Sequence, residues 1–256
     1  MKALEVINVK KSFGGVVAVD NISFSVEQGE TLGIIGPNGA GKTTLFNLLT
    51  GFYKPEQGVI KLFDRDITGL SPYKISRCGV ARTFQNLRLF RSLTVFENIL
   101  SAVLQRNAYS IVSAIFRTDR YAVIESKAEE KARQLIDFFH LSEKEDLPAH
   151  SLPYGEQREL ELARALCVEP KVLLIDEPGA GMNPKEIQEL VKTIEEIKES
   201  FAVTIVIIEH QMGLVMNISD RVMVMDFGEK IMEGTPDEVR RNERVIKAYL
   251  GEEFEW

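Results

Sequence analysis

Across residues 6–26 apolar side chains recur at about every second position, as in Val17-Ala18-Val19-Asp20-Asn21-Ile22-Ser23-Phe24-Ser25-Val26, with Gly14-Gly15 and Gln28-Gly29 as punctuation. Such alternation between glycine turns predicts antiparallel strands with one buried face. The pattern then changes. Thr31-Leu32-Gly33-Ile34-Ile35 is a short apolar run that stops at a glycine-rich loop, and residues 43–50 carry apolar positions at helical spacing before Gly51. That order is strand, loop, helix. Residues 58–63 and 79–84 read as further strands.

From about residue 86 to 165 the character becomes helical, with stretches beginning at 96 and spanning 122–139 and 156–167. This predicts a helical insertion. Beyond Pro170, Val172-Leu173-Leu174-Ile175 and Val203-Thr204-Ile205-Val206-Ile207-Ile208 are apolar runs without alternation, joined by a helix over 184–200. Runs of that kind belong to strands buried on both faces of a mainly parallel sheet. Asn183 suits the helix cap, Pro184 its first turn, and Ile187, Leu190, Val191, Ile194 and Ile197 form one apolar stripe. The expected fold class is therefore α/β, with an N-terminal antiparallel β portion. Residues 1–85 and 166–256 are expected to form the core around an inserted helical subdomain, 86–165. The five methionines Met212, Met216, Met223, Met225 and Met232 read as sheet and helix core.

Composition narrows the function. With 256 residues, 45% hydrophobic and 27% charged, the chain has the balance of a soluble protein with one large core. Its 31 Lys and Arg against 38 Asp and Glu give a net charge of −7, which argues against holding nucleic acid through phosphate neutralisation. Cys78 and Cys167 sit in no metal or redox spacing and read as reduced thiols of a cytosolic chain. No signal peptide is expected at the start, and the longest apolar stretch, 202–208, is far short of a bilayer span.

Two motifs carry chemistry. Gly36-Pro37-Asn38-Gly39-Ala40-Gly41-Lys42-Thr43 fits the phosphate-binding loop pattern between a predicted strand and a predicted helix, the context that motif requires. Glycines let backbone N–H groups curl around phosphates, Lys42 reaches the outer phosphates, and the Thr43 hydroxyl, followed by Thr44, is placed for Mg²⁺ and phosphate. The second motif is Leu173-Leu174-Ile175-Asp176-Glu177-Pro178, a carboxylate pair at the end of a buried strand, where ligands of open α/β sheets bind. Asp176 is placed to hold Mg²⁺ through water and Glu177 to polarise the attacking water. A third strand ends at Ile208-Glu209-His210; His140 and His150 are assigned no chemistry.

With these pieces in place the whole chain resembles the ATP-binding cassette (ABC) family of transport ATPases, whose core is a RecA-like P-loop NTPase. The resemblance extends to a glutamine at the entry to the helical insertion, matched by Gln85 in Arg82-Thr83-Phe84-Gln85, and to a signature peptide, Leu152-Pro153-Tyr154-Gly155-Glu156-Gln157-Arg158. A switch histidine matches His210. The guanine-reading Asn/Thr-Lys-x-Asp of small GTPases is absent. The family implies that ATP and Mg²⁺ are the ligands, that Gln85 is both a catalytic and a cation-contacting residue, and that Phe13 stacks adenine, although Phe13 also fits as an ordinary packing aromatic. It implies a head-to-tail cassette dimer, in which Ser151, Tyr154, Gly155 and Glu156 close over the nucleotide of the other cassette.

The sequence departs from the common family pattern at Pro153 (usually Ser), Glu156 (usually Gln) and Asn183 (often Asp), which bears on rate more than on class. Arg82-Thr83-Phe84-Gln85-Asn86-Leu87-Arg88-Leu89-Phe90, the tyrosine of the signature, Glu177-Pro178-Gly179-Ala180-Gly181-Met182-Asn183-Pro184 and Ile246-Lys247-Ala248-Tyr249-Leu250-Gly251 are similar to ATP-binding subunits of branched-chain amino acid importers. The expected partners are a second cassette, identical or paralogous, separate membrane permease subunits and, indirectly, a substrate-binding protein, with the chain peripheral on the cytoplasmic face. Leu87, Leu89, Phe90 and Leu93 either form a docking groove for the permease or pack the helical subdomain. Lipid or lipopolysaccharide export and a soluble, non-transport ABC ATPase are the alternative functions.

Overall fold

The computed structural model describes residues 1–106 and 119–249. They divide into two compact units, Met1–Gln85 together with the chain from Lys171 onward, and Asn86–Pro170.

In the first unit, strands β1 (Lys2–Phe13) and β2 (Val16–Glu27) form a hairpin, extended by β4 (Gln57–Leu62) and β5 (Arg65–Asp66) into an antiparallel sheet of order β2-β1-β4-β5. The alternation seen in the sequence survives, interrupted by register shifts along the β1–β2 hairpin. Val19 and Ile22 are both buried although three residues apart, because Asn21 adopts a left-handed conformation (φ 51°) and shifts the register. Asn tolerates that region better than most residues.

The second sheet of this unit has the order β10-β9-β3-β8-β7-β6, formed by β3 (Thr31–Ile35), β6 (Val80–Arg82), β7 (Val172–Asp176), β8 (Thr204–Ile208), β9 (Arg221–Asp226) and β10 (Glu229–Gly234). Its pairings are parallel except for the β9–β10 hairpin. Every residue of β3, β7 and β8 is buried, which is why these strands show no alternation. Helix α1 (Lys42–Leu49) places Leu45, Phe46, Leu48 and Leu49 in one core with Leu4, Val6 and Ile60 of the antiparallel sheet and Leu32, Ile34, Val206 and Ile208 of the parallel one. Each such side chain contributes roughly 1.5–3 kcal/mol on burial. The opposite face is covered by α7 (Met212–Ile218), α8 (Pro236–Arg240) and α9 (Glu243–Tyr249), through Met212, Val215, Met216, Val239, Val245 and Tyr249. Met223 and Met225 on β9 are fully buried, and Met232 is partly buried.

A short α2 (Pro72–Cys78) precedes β6, and α6 (Pro184–Phe201) links β7 to β8. Asn183 caps α6 in a capping box with Glu186, the reciprocal arrangement that Asn followed three residues later by Glu favours. Of its apolar stripe only Leu190, Ile194 and Ile197 are buried. Ile187 and Val191 instead line a groove of about 520 Å³ against Gly213 and Leu214 of α7.

The second unit contains α3 (Val95–Arg106), α4 (Asp119–Phe138) and α5 (Tyr154–Leu166). Helix α5 starts two residues earlier than the spacing predicts, with Pro153 (ψ 155°) at its N-cap position. Asn98, fully buried, donates to the carbonyls of Phe90, Leu93 and Thr94 and accepts from Phe90 N, so it pins residues 90–94 onto α3. Cys167 is buried, which pushes its thiol up to about 12, while Cys78 in the first unit is partly exposed. Among the described residues no helix is long and apolar enough to cross a membrane.

Candidate nucleotide and catalytic site

Because β3, β6, β7 and β8 run parallel in register (Ile34 beside Ile208, Asp176 beside Ile208, Arg82 beside Leu174), the loops that follow them emerge at one edge. That edge is the ligand edge of an open α/β sheet. It collects Gly36 to Thr44, Gln85, Glu177 and His210.

The phosphate loop is shaped by close backbone approaches. A Cβ on Gly36 would lie 2.1 Å from Met225 O, and one on Gly41 (φ 97°) 2.1 Å from Ala18 O, so both positions admit only glycine. Asn38 and Gly39 are exposed, Pro37 is half-buried and Ala40 is buried. Ala40 N donates to Pro37 O (3.1 Å) and closes the loop. Lys42 is buried with its Nζ on Gly36 O (2.5 Å) and Pro37 O (2.9 Å), so its charge sits inside the loop. Gly41 brings no side chain to cap α1, whose first amides face where an anion would sit. Thr43 is exposed and Thr44 half-buried on the first turn.

On β7 the two carboxylates part company. Asp176 is buried and pairs with Arg82, Nη2 to Oδ2 at 2.6 Å. Arg82 also donates to Asn47 Oδ1 on α1 and to Thr50 Oγ1 at the C-cap of that helix, and lies over the Phe46 and Phe84 rings. Glu177 turns away in a left-handed conformation (φ 43°), its N–H donating to Ile208 O (2.8 Å). Its Oε2 accepts from Gln85 Nε2 (2.6 Å) and lies 3.8 Å from His210 Nδ1. Two residues 125 positions apart in sequence thus converge on one carboxylate oxygen of Glu177.

Phe13, at the end of β1, is 41% exposed and meets the edge of Tyr53 at 5.0 Å, with Lys11 Nζ 5.2 Å from its ring centre. It is not a core aromatic.

The signature residues lie in the helical unit. Ser151 ends a single 3₁₀ turn with its Oγ on Pro148 O, and Tyr154 and Gly155 open α5, with open space around the Gly155 Cα. Glu156 Oε1 accepts from Lys144 Nζ (2.6 Å), and beneath the turn Arg158, buried, pairs with Glu161. Leu87, Leu89 and Leu93 are half-buried and Phe90 is half exposed, under the Arg164 guanidinium. Leu250 and Gly251 of the tail peptide lie outside the described residues.

Sequence reasoning did not single out Arg82 or Glu209 as site residues. Each is a charge at the end of a buried strand, the one signal that marks them. Glu209 is fully buried.

A phosphate-shaped loop at the head of α1, with an acidic strand end beside it, defines a P-loop nucleotide-binding protein. Comparison with known proteins carries this further. The ABC transporter family model matches residues 19–180, and a model for branched-chain amino acid ATP-binding cassette transporters matches residues 229–255. The chain is 46% identical over 97% of its length, and 98% of the relative's, to the high-affinity branched-chain amino acid transport ATP-binding protein LivG of Salmonella typhimurium. It is 44% identical, with the same coverage, to BraF of Pseudomonas aeruginosa, which carries the same description. Among solved structures, an ATP-binding cassette of an ABC transporter in its ADP conformation is similar with a TM-score of 0.85 and 33% identity, covering 98% of this chain and all of that one. The chain belongs to the ABC transporter family, as one of its ATP-hydrolysing cassettes.

Proposed function

We propose that this chain is the ATP-hydrolysing subunit of an importer for branched-chain amino acids, working as a head-to-tail cassette dimer on the cytoplasmic side of permease subunits. The observation that carries the catalytic part is the convergence of Gln85 Nε2 and His210 Nδ1 on Glu177 Oε2 beside a phosphate loop. Similarity of 44–46% along nearly the whole of the curated relatives supports the substrate class.

In this reading the backbone amides from Gly36 to Thr44 hold the phosphates, and Lys42 moves its ammonium from the Gly36 and Pro37 carbonyls to the outer phosphate oxygens. Glu177 accepts hydrogen from the attacking water, and His210 and Gln85 keep its carboxylate aimed at the γ-phosphate. Phe13 offers adenine an exposed aromatic face. The residues present suit Mg²⁺: a Thr43 hydroxyl, the Asp176 carboxylate and the Gln85 carbonyl are hard oxygen donors. Among the described residues no group of three or more acids, histidines or cysteines is arranged to hold a metal ion by itself, so the phosphates would complete the shell, as is usual for Mg²⁺. When bound, Mg²⁺ supplies charge neutralisation on the β and γ phosphates. Ser151, Tyr154, Gly155 and Glu156 present the start of α5 to the nucleotide of the second cassette. Leu87, Leu89, Phe90 and Leu93 form the permease-facing patch, held by Asn98.

The test is to purify the tagged chain with its membrane partners and measure ATP hydrolysis with and without leucine, isoleucine and valine. Stimulation by these amino acids and copurification of a permease are expected. An assembled complex that moves none of them overturns the substrate assignment.

A further inference from the structure

Glu209 is a carboxylate with no solvent exposure, which is costly unless its oxygens are fully engaged. Its Oε1 accepts from Gly179 N (2.8 Å), and its Oε2 accepts from His210 N (2.7 Å) and Gln211 N (3.0 Å), with His210 Nδ1 at 3.4 Å. Gly179 stands two residues beyond Glu177, and the other two amides belong to the loop of His210. A second strut runs parallel: Gln211 Nε2 donates to Gly179 O (2.9 Å). The fit is close enough that a Cβ on Gly179 would lie 2.9 Å from Glu209 Oε1. Two catalytic loops separated by some 30 residues therefore share one buried anion, a charge-assisted arrangement stronger than neutral hydrogen bonds.

We propose that Glu209 is a positioning residue for ATP hydrolysis, clamping the loop that carries Glu177 to the loop that carries His210. The proposal rests on the reading of Glu177 and His210 as the hydrolytic pair. Glu177 leaves β7 through a left-handed turn, so its carboxylate direction follows the path of Pro178 and Gly179. Fixing Gly179 to the His210 loop fixes the 3.8 Å spacing between the two side chains.

The test is Glu209→Gln in the full chain. The isosteric amide keeps the shape but replaces one acceptor oxygen by a donor, and retaining two bonds to residues 210 and 211 turns its NH₂ against Gly179 N–H. Hydrogen exchange of the Gly179 amide should rise about tenfold while the rest of the β7–β8 region stays protected, and kcat should fall about tenfold with KM for ATP within about twofold. Glu209→Ala should loosen residues 177–181 and 209–212 together, and Glu209→Asp should recover part of kcat. Unchanged exchange at Gly179 in Glu209→Gln overturns the clamp, and so does a loosened loop with unchanged kcat. A Glu177→Gln chain that turns over normally overturns the hydrolytic reading instead, a result the amide exchange does not depend on.

Discussion

Arg82 and Asp176 form an ion pair in which both side chains are 6% exposed, tying the strand that leads to Gln85 to the strand that leads to Glu177. Arg82 also reaches Asn47 and Thr50, so the same guanidinium fastens β6 and β7 to the phosphate-loop helix. Removing it leaves a buried carboxylate uncompensated. Arg82→Met should cost about 3–5 kcal/mol of stability, read as a lower urea midpoint at unchanged slope. Arg82→Lys, which keeps the charge and loses the fork, should fall between. A midpoint for Arg82→Met equal to the wild type would mean that the pair contributes nothing.

The phosphate loop separates two kinds of glycine. Gly39 has φ 81° with open space around it, so Gly39→Ala should fold and cost about 1–2 kcal/mol from backbone strain alone. Gly36→Ala drives a methyl group to 2.1 Å from a carbonyl oxygen and should cost more, with loss of binding to a fluorescent ATP analogue. Thermal unfolding of the two variants side by side checks the ranking. Equal melting temperatures would refute the steric argument.

How much of this was legible beforehand depends on whether a residue's role is local. The phosphate loop and Asp176-Glu177 could be read because motif, strand and helix adjoin in sequence. Asn183 could be read because a cap and its Glu186 lie three apart. The parallel strands could be read because burial on both faces removes alternation. The slip at Asn21 could not, since a bulge depends on the partner strand. Arg82 and Glu209 could not either: Asp176, which pairs with the one, and Gly179, which donates to the other, are 94 and 30 positions away, and a buried charge looks like a solvated strand end until the sheet brings its partners. Phe13 was open between packing and display because exposure is a tertiary property.

Asp220 provides a pH-dependent tie in the same unit. Its carboxylate accepts from Thr31 N (2.7 Å) and Lys198 Nζ (2.6 Å), joining β3 to α6. Burial pushes its pKa up, and the Lys198 ammonium and the Thr31 amide outweigh that, leaving it below the ordinary value of 3.8. A carboxylate depressed on folding stabilises the fold above its unfolded pKa and loses that contribution as pH falls through the folded value. Asp220→Asn should therefore lower the melting temperature at pH 7, and the gap to wild type should narrow as pH drops below 3.8. A gap that is constant from pH 7 to pH 2.5 would show that the charge of Asp220 is irrelevant.

The convergence on Glu177 allows chemistry and binding to be separated. Glu177→Gln keeps the size of the side chain and removes the carboxylate that Gln85 and His210 address, while Lys42 and the phosphate loop are untouched. Loss of a positioned general base is worth about 10²–10⁴ in rate. Glu177→Gln should thus bind ATP with unchanged affinity, hydrolyse it at least a hundredfold more slowly, and accumulate an ATP-held dimer on size-exclusion chromatography. His210→Ala should slow hydrolysis less if its part is to aim Glu177, since the carboxylate remains to take the proton. The reverse ranking would make His210, with its ring nitrogen 3.8 Å from Glu177, the group that meets the reacting phosphate directly.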